Sequence, residues 1–251
     1  MSMHDTARMA LALMATVCLT LSLTARAGLP DIDSSLAATG RHDYLTTLEV
    51  GETRLEIEAV RRITRIEGKT GEELHVGTLT RTGMGLTDDR LQLNAETLLP
   101  LAREVYQGDG RMQIELSPDR VTGYIQAAGQ TVSLDTVLTT TSYAAEAGLE
   151  VLLAALALEQ DLVFELDLIE IDVHTQVRRY ELRVGATETI EVPAGRFIAW
   201  PIEVTAVDDP GDRQTLWISQ SQPRLFVRAE APVPVDLGRG SLITELVRSG
   251  D

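Results

Sequence analysis

Three histidines lie beyond the N-terminal segment: His42, His75 and His174. A zinc site on one helix needs two of them a turn apart, as H-x-x-x-H or H-E-x-x-H, and no such pair exists in the chain. Each has an acid close by (Asp43, Glu73, Asp172), so a hydrolytic or metal site would require the fold to gather all three. Histidines on the surface or at hairpin ends are the simpler reading, and no metal site is expected. No serine sits in a G-x-S-x-G elbow. Gly68-Lys69-Thr70 ends like a phosphate loop, but Ile63 stands where its first glycine belongs, so it reads as a turn. The pairs Glu56/Glu58, Glu165/Asp167 and Glu170/Asp172 each place two carboxylates on one face of a strand. Such pairs serve glycoside hydrolysis or hold calcium, yet alternate polar positions on a strand ordinarily just face water. Asp208, Asp209 and Asp212 crowd one loop without the D-x-D-x-D-G order of a calcium loop. No catalytic residue and no cofactor is assigned. Five aromatics, Phe164, Phe197, Trp200, Trp217 and Phe226, are the candidate ligand-binding residues, able to line an apolar pocket inside a curved sheet. With only ten Phe, Trp and Tyr in the chain, packing anchors are the competing use.

The elements that must position these residues are mostly strands, because apolar side chains recur with period two. The pattern predicts strands at 44–50, 53–65, 74–82, 90–94, 101–107, 112–116, 121–127 and 131–134. It resumes at 162–173 and continues at 176–184, 187–192, 198–207, 213–219, 225–231 and 240–247. Turn residues such as Ser117-Pro118-Asp119 and Pro193-Ala194-Gly195 separate them about every ten residues. One segment, 144–158, has Leu149, Leu152, Leu153 and Leu156 at helical spacing and predicts the one substantial helix, with an apolar stripe against the sheet. Along 162–173 the alternation slips by one residue at Leu168/Ile169, which predicts a β-bulge or sharp twist there.

Residues 1–27 have a different character. A short polar start ending at Arg8 precedes sixteen apolar-rich residues, Met9 to Thr24, and a small-x-small Ala25-Arg26-Ala27. This is the layout of a secretory signal peptide, and the run is shorter than the ~20 residues that span a bilayer. Cys18, the sole cysteine, lies inside the run, so cleavage after Ala27 leaves 224 of 251 residues, without a thiol and without a transmembrane segment. The expected organisation is a signal peptide (1–27), an irregular lead (28–43) and one β domain (44–251). The expected location is the periplasm of a Gram-negative bacterium. The chain holds 22 Lys and Arg against 38 Asp and Glu, a net charge of −16, with 44% hydrophobic residues. That balance excludes a disordered acidic tail and disfavours nucleic acid and anionic membranes as partners.

Several segments resemble a known family. Val184 to Phe197, containing Gly185, Glu188 and Val192-Pro193-Ala194-Gly195, is similar to the V-P-A-G-x-F hairpin of DUF3108, a family of exported bacterial proteins of unknown function. Leu216-Trp217-Ile218-Ser219 with Pro223 to Arg228, Asp89 to Pro100, and Arg120 to Gly123 resemble further segments in order. The resemblance spans about 40–247 and implies a mainly β fold: a meandering antiparallel curved sheet or partly closed barrel, with no catalytic residues. The resulting expectation is a non-enzymatic exported protein that binds an apolar or amphipathic ligand, or an envelope partner, in the concavity of its sheet. A structural or assembly module of the cell envelope, and a hydrolase or metal-dependent enzyme, are the alternatives.

Overall fold

The structure is a computed structural model and describes residues 28–68, 71–83, 85–171, 175–233 and 240–250. The predicted signal peptide, His174 and Lys69 lie outside the described residues. A short 3-10 turn (Ser34–Leu36) leads into eight strands: β1 (Gly40–Val50), β2 (Thr53–Gly68), β3 (Gly71–Thr82), β4 (Gly85–Asn94), β5 (Pro100–Gln107), β6 (Gly110–Ser117), β7 (Arg120–Ala127) and β8 (Gln130–Val137). A crossover follows, made of β9 (Ser142–Ala144) and helix α1 (Ala147–Ala155). The second run is β10 (Val163–Glu170), β11 (Gln176–Val184), β12 (Glu188–Val192), β13 (Gly195–Ala206), β14 (Arg213–Ser219), β15 (Phe226–Pro232) and β16 (Gly240–Gly250).

All sixteen strands form a single sheet that does not close into a barrel, in the order β8-β7-β6-β5-β4-β3-β2-β1-β16-β15-β14-β13-β11-β10-β9, with β12 beside β13. Most successive strands are antiparallel neighbours, the arrangement that short hairpin turns dictate, although β11 pairs with β13 past β12. Two pairings depend on distant sequence. β16 returns to β1, joining the two meanders at mid-sheet, and β9 lies parallel to β10. The two-residue turn Pro193-Ala194 closes Val192 onto Gly195, whose φ of +130° suits glycine.

The sheet curls around α1. Every residue of the helix from Gly148 to Ala155 except Glu150 is buried, so the expected one-sided stripe is instead a helix covered on nearly all sides. Helix α1 is also shorter than the predicted 144–158: Ala144 ends β9, and Leu156 is extended and bridges to Ile32. The N-terminal lead is shorter too, because β1 begins at Gly40. That lead straps the far end of the helix, with Asp33 N donating to Ala155 O at 2.9 Å and Ala38 N to Arg224 O at 2.9 Å.

The predicted bulge at Leu168/Ile169 is absent, since β10 pairs with β11 without a register shift from Val163 to Glu170. The reason is that both faces of the strand are covered at that point. Leu168 points into the main core around α1. Ile169 points the other way into a second core with Met112, Ile114, Leu116, Val121, Leu134 and Leu138 from the opposite end of the sheet. The two ends of the sheet thus meet by side-chain packing rather than by hydrogen bonds, which leaves the sheet barrel-like but open.

Candidate functional site

Helix α1 fills the concave face only in part. Beyond its N-terminal end a cleft of about 910 Å3 remains. Ala145, Glu146 and Leu149 form one wall, strands β10 and β11 a second, and β13, β14 and the end of β15 the third, with Arg103 reaching across from β5. Strand period explains the lining. On β11, Arg178, Tyr180, Leu182 and Val184 share the inward face, so the face that builds the core at one end turns polar toward the open end. Leu168, Val204 and Val233 supply the apolar wall.

The polar lining is tightly paired. Arg178 donates to Asp208 Oδ1 at 3.0 Å and to Asp212 Oδ2, so the loop after β13 closes over it. The Tyr180 hydroxyl donates to Glu170 Oε1 at 2.6 Å, and burial followed by the Glu170 carboxylate pushes its ionisation well above the ordinary phenol value. Arg103 donates to both oxygens of Asp89, at 3.0 and 2.6 Å, and to Glu146 Oε2 at 2.8 Å. These carboxylates hold Arg103 cationic against the cost of its burial.

A second polar cluster lies deeper, beside a cavity of about 20 Å3 between β1, β2 and α1. Arg61 pairs with Glu150 of the helix, donates from Nε to Thr78 Oγ1 at 3.3 Å, and lies 5.0 Å over the Tyr44 ring. Tyr44 donates its hydroxyl to Phe226 O at 3.3 Å. Burial raises the Glu150 carboxyl above its usual value, with Arg61 pulling it back. His42 Nδ1 lies 3.0 Å from Ser249 Oγ, and burial together with Arg61 holds its imidazole below the ordinary value.

The residues singled out from sequence fall in several places. Phe164 and Phe226 are core, the latter 5.4 Å from Tyr44, while Phe197 and Trp200 pack against that core. Trp217 stands on the other face of β14, with Nε1 donating to Glu188 at 2.6 Å and Arg228 over its ring. None of the five lines the large cleft; Phe226 lines the small cavity. His42 faces inward, whereas His75 faces the opposite side of the sheet and bonds Glu73 at 2.9 Å. Among the described residues no three His, Cys, Asp or Glu side chains come together as a metal site. Glu56 and Glu58 face water, and Asp167 pairs with Arg179 at 2.8 Å. Asp208 and Asp212 hold the chain's own Arg178 rather than an open cation position. The cleft residues Arg103, Arg178 and Tyr180 escaped sequence reasoning, whereas Glu170 was singled out only as one of a carboxylate pair. Their signal was present: on β11, Arg178 and Tyr180 are in phase with the apolar Leu182 and Val184.

The model of the family described as protein of unknown function (DUF3108) matches residues 41–243. The chain belongs to the DUF3108 family. No curated protein matches it. Among solved structures, the β-barrel-like DUF1849 protein of Brucella abortus is similar at a TM-score of 0.53 and 14% identity, covering 88% of this chain and 98% of that one. A Bacteroides fragilis protein described as exported, with a YmcC-like fold, aligns at a TM-score of 0.39 and 10% identity over 90% of this chain and 100% of its own. The first likeness supports the fold of this DUF3108 member: one large, barrel-like, incompletely closed sheet.

Proposed function

We propose that this DUF3108 protein is a non-enzymatic, exported protein, directed to the periplasm by residues 1–27, that binds an amphipathic small molecule in the cleft beside α1. The observation that carries this reading is the cleft itself: about 910 Å3 with an apolar wall and a polar mouth, within the size range of small-molecule sites. The test uses N-phenyl-1-naphthylamine, a neutral dye that brightens in apolar sites. The purified chain is expected to enhance its fluorescence saturably. Ala231→Trp, which fills the cleft from β15, is expected to remove that enhancement while preserving the thermal transition. A dye response unchanged by Ala231→Trp overturns the reading.

A second reading, an assembly module, is favoured by β8. This eight-residue strand ends the sheet, pairs among the described residues only with β7, carries neither Lys nor Pro, and exposes Val132 and Val137. An unguarded edge of this kind pairs readily with another strand. Light scattering decides it: a chain that self-associates is expected to become monomeric in Val132→Lys/Val137→Lys.

A further inference from the structure

The polar mouth of the cleft narrows the class of ligand, an inference that rests on the reading of the cleft as a ligand site. We infer that the cleft takes an amphiphile whose polar end carries a positively charged nitrogen, with its apolar tail against Leu149, Leu168 and Val204. Two of the three guanidiniums lining the cleft are already occupied. Arg103 is held between Asp89 and Glu146, and Arg178 between Asp208 and Asp212. An anionic head would have to displace a carboxylate to reach either one, exchanging one ion pair for another with no gain. The mouth holds two further acids, Glu170 and Asp209. Arg213 at the rim is the one cleft-lining arginine with no ion pair among the described residues, and the surrounding carboxylates outnumber it. The N-terminal end of α1, which on its own would attract an anion, already bears Glu146 beside it. The net charge of −16 adds a long-range field of the same sign.

The experiment is displacement of N-phenyl-1-naphthylamine from the full chain by three twelve-carbon probes below their critical micelle concentrations: dodecyltrimethylammonium, dodecylphosphocholine and dodecanoate. Dodecyltrimethylammonium is expected to displace the dye at concentrations at least about tenfold lower than dodecanoate at low salt, and high salt is expected to narrow the gap. Displacement by dodecylphosphocholine as well points to a phospholipid-type head, and its failure to displace points to a free alkylamine; both keep the cationic nitrogen. Glu146→Gln and Asp209→Asn, which preserve shape, are each expected to weaken the cationic probe roughly two- to fivefold relative to the neutral dye measured on the same variant. Equal or better displacement by dodecanoate overturns the inference while the cleft reading stands. A dye signal insensitive to Ala231→Trp overturns both.

Discussion

At the scale of single residues, the buried Arg61–Glu150 pair joins sheet to helix. Both side chains are almost out of water, at 11% and 14% exposure, so removing one partner leaves an uncompensated charge in the core. Glu150→Ala is expected to cost about 3–5 kcal/mol in urea unfolding. Arg61→Met/Glu150→Leu is expected to recover most of that loss, because two buried apolar groups need no counter-charge. His42 makes a second prediction. Its folded pKa lies below the ordinary 6.5, so the unfolded chain accepts a proton that the folded chain refuses. Stability therefore declines as pH falls below about 6.5 and stops declining, for this group, below the folded value. His42→Gln is expected to remove that part of the slope between about pH 7.5 and 5.5, read as the difference between the two proteins' unfolding curves.

At the scale of elements, two positions show where the local pattern and the fold agree or diverge. Gly123 lies within β7 at φ +147°, and a Cβ there would come 2.1 Å from the Gln113 carbonyl oxygen. Gly123→Val is expected to destabilise by roughly 2–4 kcal/mol, seen as a lowered thermal midpoint, although valine is a good strand residue. Ile169 looks out of phase along its own strand, yet it anchors the contact between the two ends of the sheet. Ile169→Ala is expected to cost about 2–4 kcal/mol and to raise hydrogen exchange selectively in β6, β7 and β8. Nearly every strand is legible from alternation, because one face of most of them is buried. The slip at Leu168/Ile169 misled for the same reason: alternation assumes one buried face, and here a distant part of the chain covers the other.

At the scale of the whole molecule, topology makes β16 central. β16 lies between β1 and β15, so the last described strand sits at mid-sheet. Removal of residues 240–251 is expected to abolish cooperative unfolding rather than merely trim an edge, as a loss of near-ultraviolet circular dichroism. A lost edge strand would expose one row of backbone groups, whereas loss of β16 exposes two and splits the sheet into its two meanders.

The sequence alone determined fifteen of the sixteen described strands to within small shifts (all but β9), the single helix, the turns and the family, because these follow from short-range periodicity, turn chemistry and local motifs. Only the tertiary structure decided that Glu150 is buried against Arg61, that Asp208 and Asp212 clamp Arg178, and that the cleft is lined by β10, β11 and α1 rather than by the five aromatics. The physical reason is distance along the chain. Glu150 and Arg61 stand 89 positions apart, and Arg178 and Asp212 stand 34 apart. No local period records whether a charged side chain that points inward meets its counter-ion or solvent.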